Sequence, residues 1–166
     1  IPMMPEKVLR EDLEAKYDFE KIILEEHKLP VGLDYEDVEL VSLDVTKPSI
    51  ITAVKPNEHE YLSRIIINQL EVYSKNNTVI LVDADENMSS YSENVSSYHS
   101  SSSELNMIRT GFKQEIASRK EGKRSCEVRK IVFINNIKRF NQVTGMNEDE
   151  VRMLFNEGPK YNVIVI

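Results

Sequence analysis

Apolar and polar positions follow two rhythms along this chain. Thr78–Val82 (TVILV) and Lys130–Ile134 (KIVFI) are short apolar runs with almost no interruption, the pattern of a strand covered on both faces. Asn162 to Ile166 gives a third run of this kind, at the end of the chain. Val38 to Val45 (VELVSLDV) alternates instead, as a half-buried strand does, and after the break at Lys47-Pro48 a further strand is predicted over Ser49–Val54. Between these runs the spacing changes to three and four. Leu62, Ile65, Ile66 and Leu70 mark one helix, Leu105, Ile108, Phe112 and Ile116 a second, and Val151, Leu154 and Phe155 a third. Asn57 with Glu60, and Asn147 with Glu150, have the N-x-x-E spacing of capping boxes. Ser102 or Ser103 is placed to cap the middle helix, and Gly158-Pro159 to stop the last.

Residues 1–30 read as a separate N-terminal segment. Pro2 and Pro5 keep its start extended, Val8, Leu9 and Leu13 predict a short helix, and Phe19, Ile22 and Ile23 a second. His27 sits among Glu25, Glu26 and Lys28 on what reads as a solvated face, and Val31–Asp34 as a turn. Residues 87–103 (NMSSYSENVSSYHSSSS) are serine-rich, too polar to offset their ordering entropy by burial, and predict a mobile loop that includes His99. From residue 31 to 166, strands alternate with helices. This predicts an α/β domain with a mostly parallel sheet, helices on both faces and right-handed crossovers. No internal repeat is visible.

Composition narrows the functional classes. A length of 166 residues suits one domain with a sizeable core. A net charge of -7 argues against a nucleic-acid partner, because phosphate binding needs a basic face. The single cysteine, Cys126, excludes an internal disulfide framework and a cysteine zinc site, and reads as a loop or half-buried thiol. There is no signal peptide, and no apolar run approaches the ~18 residues of a membrane span. The chain opens on Ile1 and stops on an uncapped apolar strand, so it reads as an excerpt of a longer polypeptide.

The stretch Ile50–Leu70 has the strand, turn and helix order in which nucleotide-binding proteins carry a phosphate loop. In a parallel sheet ligands sit at the carboxyl ends of strands, which points to the turn after Val54 and to Asn135-Asn136 after KIVFI. A working loop, G-x-x-x-x-G-K followed by Ser or Thr, needs glycines so that backbone amides can wrap the phosphates. It also needs a lysine for the outer phosphates and a hydroxyl for magnesium. The facing strand holds the magnesium through a carboxylate.

Four stretches occur here in the order LPVGLDYEDVELVSLDV, the strand-turn-helix, KIVFINNIKRF and MNEDEVRMLFNEGPKYNVIVI. Through them the chain resembles the FtsK/SpoIIIE-type P-loop ATPase modules. It is most similar to the last module of the membrane-anchored motors of type VII secretion systems in Firmicutes, over nearly all its length apart from the serine-rich insert. On that resemblance Val54 and His59 stand at the glycine positions, Glu60 at the lysine and Tyr61 at the hydroxyl. Asn135 and Asn136 stand where the family carries acidic residues. A glutamate in place of the lysine turns attraction into repulsion, about 4 kcal/mol for unit charges about 4 Å apart at an effective dielectric of about 20. Without a carboxylate at Asn135 or Asn136, magnesium lacks a charged ligand and the attacking water lacks a polarising group. His59 at a helix amino end leaves room for a weak anion site.

The resemblance therefore implies a catalytically degenerate module with no cofactor and with ATP and magnesium binding weak or absent. It would be the cytoplasmic part of a membrane-anchored protein, with no membrane contact of its own and no nucleic-acid partner. Its implied partners are secreted WXG100-type or related effector proteins and the neighbouring ATPase modules of the same motor, in a hexamer. Two alternatives stay open: an active ATP-hydrolysing translocase module that uses a noncanonical loop or residues donated by a neighbour, and a DNA translocase, which the acidic balance opposes.

Overall fold

The computed structural model describes residues 9–166. The expectations resting on Pro2, Pro5 and Val8 lie outside that range.

The three apolar runs form strands β3 (Thr78–Val82), β5 (Lys130–Ile134) and β6 (Val163–Val165). With the short β4 (Ser97–His99) they make a four-stranded parallel sheet of order β4-β3-β5-β6. Their side chains divide with the period of two that a pleat imposes. Val79, Leu81, Ile131, Phe133 and Ile164 enter one core, whereas Ile80, Val82, Val132, Ile134, Val163 and Val165 enter the other. Helices α2 (Phe19–Leu24) and α3 (Pro56–Tyr73) cover the first face. Helices α4 (Ser102–Lys120), α5 (Ile137–Thr144) and α6 (Glu148–Glu157) cover the second. The α/β class with a mostly parallel, doubly covered sheet is thus observed.

Helix α3 buries Ile66, Ile67 and Leu70 almost completely, about 1.5–3 kcal/mol for each side chain removed from water. Helix α1 (Arg10–Lys16) buries no residue, although Leu13 packs on the edge of the first core.

Several sequence expectations change. β1 (Lys28–Leu33) and β2 (Leu40–Asp44) form an antiparallel hairpin outside the main sheet, so of the expected turn Val31–Asp34 the first three residues are strand. The turn comes later, where the Asp34 carboxylate accepts the amides of Glu36 and Asp37. The hairpin is tied to α3 by Gln69, whose amide donates to the Pro30 carbonyl at 2.8 Å. The strand expected over Ser49–Val54 does not form, and residues 48–53 are irregular. They run beside β6 with one backbone bond, Ser49 to Val165. The serine-rich stretch contributes β4, because the Ser96 hydroxyl and amide bond Val79 and bring the chain alongside β3.

The caps also differ. Lys55 precedes α3 without a side-chain cap, and Asn57 already lies in the first turn, so Asn57 and Glu60 form no capping box. Ser101, one residue before the expected serines, caps α4 in a complete box with Glu104. Asn147 does accept the Glu150 amide. The Glu150 carboxylate turns instead to Arg109, at 2.9 and 2.6 Å, and braces α4 against α6. Helix α5 was not among the expected elements; it starts at the Asn136 cap and ends at Gly145 with φ 71°. His27 is not simply solvated: it is half-buried, has φ 56° and bonds the Tyr73 hydroxyl at 3.0 Å.

Candidate functional site

The carboxyl ends of β3 and β5 meet the amino end of α3 at one edge of the sheet. At the end of β3, Asp83 is fully buried. Its carboxylate accepts four hydrogen bonds, from the amides of Asn87 (3.1 Å) and Met88 (2.8 Å), the side-chain amide of Asn135 (2.6 Å) and the Tyr98 hydroxyl (2.5 Å). Burial, and then the adjacent carboxylate, push the Tyr98 hydroxyl up to about 12, which keeps it a donor.

Asn135 is held on every side. Its amide nitrogen donates to Asp83 and to the side-chain oxygen of Asn87 (3.1 Å), and its own oxygen accepts the Ala84 amide at 2.9 Å. Its side chain clasps β5 to the end of β3. The geometry asks for a donor facing Asp83 and an acceptor facing Ala84, and asparagine supplies both where aspartate would set oxygen against oxygen. One residue on, the Asn136 oxygen caps α5 through the Arg139 amide at 3.0 Å. Its nitrogen donates to the Asp85 carboxylate at 3.0 and 3.3 Å.

On the α3 side the residues diverge. Val54 is 96% exposed and Tyr61 66% exposed, so neither is gathered into the site. Glu60 is exposed and pairs with Arg64 one turn along, at 2.7 Å. His59 does converge with Asn135 and Asn136 on a groove of about 390 Å³ whose walls are otherwise largely apolar, with Ile51, Leu62, Ile66, Phe133 and Phe155. Of the six positions singled out in the sequence, three therefore line one groove and three do not. Asp83 and Tyr98, which hold the edge together, were not among them. The available signals were an acid directly after a buried strand and a tyrosine that keeps β-register in a polar run.

Cys126 is half-buried in the turn after α4, and its carbonyl accepts the Asn162 side chain at 2.8 Å. Among the described residues, no three His, Cys, Asp or Glu side chains are grouped to hold a metal ion, and no helix is long and apolar enough to cross a membrane.

A parallel sheet of this order, covered on both faces, with strand ends converging on the amino end of α3, is the architecture of the P-loop ATPase domains. The fold matches EssC (ATPases 2 and 3) from Geobacillus thermodenitrificans with a TM-score of 0.73 at 18% identity, over 99% of this chain and 32% of that one. It also matches Thermomonospora curvata EccC (ATPases 2 and 3) in complex with a signal sequence peptide, with a TM-score of 0.59 at 16% identity, over 83% of this chain and 28% of that one. No protein-family model matches the chain.

Sequence carries the relation further than fold. The chain is a homologue of the type VII secretion system protein EssC: it is 66% identical, over all 166 residues, to EssC of Staphylococcus aureus strain MRSA252. It spans 11% of that relative's length.

Proposed function

We propose that this chain is a catalytically degenerate ATPase module of a type VII secretion motor, acting on the cytoplasmic side in substrate recognition and in assembly of the machinery. One observation carries the reading: the Asn135 side chain is spent on Asp83, Asn87 and Ala84. A magnesium-holding carboxylate at that strand end would have to face outward, and here the side chain is turned inward as a clasp. The loop positions add to it. Glu60 offers a negative charge where a lysine would meet phosphate, and Val54 and His59 carry side chains where backbone must approach. These residues do not fit a magnesium triphosphate, and no catalytic step is assigned to them.

What remains is a P-loop fold kept for its surfaces. The partners this reading names are secreted WXG100-type or related effectors and the neighbouring ATPase modules, with which the chain would assemble into a hexamer. The related EccC holds a signal sequence peptide, which supports a peptide-receiving role for such modules. The test is retention of purified WXG100-type proteins and of the neighbouring modules on the immobilised chain. Retention that is indifferent to ATP and magnesium is expected. No retention, or retention only with nucleotide, overturns the proposal.

A further inference from the structure

A second groove, of about 440 Å³, lies between α4 and the sheet. Lys130 and Val163, the first residues of β5 and β6, line it, so it opens near the amino ends of the strands, away from the Asn135 edge. Its floor is apolar, with Ile80, Phe112 and Val132, and Met107 stands at its lip, 72% exposed. Gly111, in the middle of α4, keeps it open, and a Cβ added there meets no atom within 4 Å. The volume suits a small organic molecule, whose sites typically span about 300–1,000 Å³.

Charge selects the molecule. The nearly buried Glu115 carboxylate meets three cations, Arg119 at 2.9 Å, Lys130 at 3.7 Å and Arg124, and among the described residues none of the three pairs with another carboxylate. Three positive charges on one negative leave a surplus of two, in a chain whose net charge is -7. Arg119 is buried and also donates to the carbonyls of Val128 and Tyr161. Lys130 has no such partner. Its side chain is only 22% exposed, yet within the described residues its ammonium makes no hydrogen bond, because 3.7 Å is too long for one. Polar groups so far from water are normally hydrogen-bonded, and an ammonium carries three donors. Arg124, largely exposed, lines the same groove.

We propose that this groove binds a small organic anion, with one carboxylate or phosphate group set on Lys130 and Arg124 and a flat apolar body laid over Phe112 and Met107 beside Gly111. Two surplus charges match a carboxylate or a phosphate monoester and fall short of a triphosphate. The site lies at the strand end opposite to the degenerate nucleotide edge and does not depend on the partner-recognition reading.

The test titrates the purified chain with anilinonaphthalene sulfonate, a fluorescent probe with an apolar body and one fixed negative charge, and with phenylnaphthylamine, its uncharged counterpart. The sulfonate should bind about tenfold more tightly than the amine, because its anion gains hydrogen bonds to charged donors. Lys130→Met and Arg124→Gln should each weaken the sulfonate about tenfold and leave the amine unchanged. Gly111→Leu, which fills the groove, should abolish binding of both. Arg124 is largely exposed, so its variants keep the fold, and Arg124→Lys should retain the binding that Arg124→Gln loses. Naphthoate or naphthyl phosphate should displace the probe where naphthol does not, and the acid effective at the lower concentration identifies the anionic group. Equal binding of sulfonate and amine, sulfonate binding untouched by the Lys130 and Arg124 variants, displacement by naphthol as readily as by the acids, or no binding at all would overturn the proposal.

Discussion

Asn135→Asp places at the end of this strand the acid that the proposed degenerate site would have lost, and the structure makes that substitution costly. The substitution keeps the shape and replaces the nitrogen 2.6 Å from Asp83 by an oxygen. Two ionised carboxylates about 3 Å apart repel by about 5 kcal/mol at an effective dielectric of about 20. The pair escapes by keeping one proton, which lets the new acid donate to Asp83 as the amide did. Holding a proton at pH 7 on a group that ionises near pH 3.9 when unfolded costs about 4 kcal/mol, so protonation is the cheaper route and sets the ceiling. The sign follows. The shared group is raised in the folded state, so its folded form binds more protons and stability falls as pH rises above about 4. The variant should match the parent near pH 4 and lose about 1.4 kcal/mol per pH unit above it, to about 4 kcal/mol at pH 7. Urea unfolding of both proteins across this range measures the difference. An offset independent of pH, no loss at neutral pH, or rescue by magnesium would refute the reasoning and reopen the position as a metal ligand.

Other substitutions probe the remaining contacts. Tyr98→Phe removes one donor from the buried Asp83 carboxylate and should cost about 1–3 kcal/mol in urea unfolding; an unchanged midpoint would show that the bond contributes nothing. Gly158→Ala places a Cβ 2.5 Å from the Val163 carbonyl and should cost about 1–3 kcal/mol by displacing β6, whereas a stabilised variant would contradict the crowding. Glu60→Ala removes an exposed pair with Arg64 and should shift stability by no more than about 0.5 kcal/mol; a loss above about 1 kcal/mol would reinstate a capping role. His27 is held below its ordinary range by burial and then by Arg129, against an opposing pull from Asp44. Its unfolded form therefore takes up a proton first, and stability should fall as pH drops below about 6.5, a fall that His27→Asn reduces.

Much of the fold could be read from periodicity because the sheet is buried on both faces. TVILV and KIVFI have no polar alternation to mislead, and both strands run over their predicted residues. The errors fall where local chemistry is outweighed by distant contacts. Ser97–His99 has only Tyr98 to announce a strand, yet the Ser96 bonds to Val79 and the Tyr98 bond to Asp83 dock it on the sheet. Asn57 and Glu60 have the spacing of a cap, but Lys55 is the N-cap and Pro56 already occupies the first helical position, so the pair falls two residues too late. Residues 48–53 are apolar enough for a strand and make only one backbone bond to β6. At the site, sequence named Asn135 and Asn136 for the charge they lack. What they do instead was not legible, because the partners that use them, Asp83, Asn87 and Asp85, lie some fifty positions away.

The central claim is that the nucleotide frame of this module has lost its nucleotide. Titration of the chain with ATP and magnesium in a calorimeter addresses that claim most directly. The account predicts no saturable heat. Saturable binding with micromolar affinity would contradict it and would give the edge formed by α3 and the Asn135 strand a nucleotide to hold.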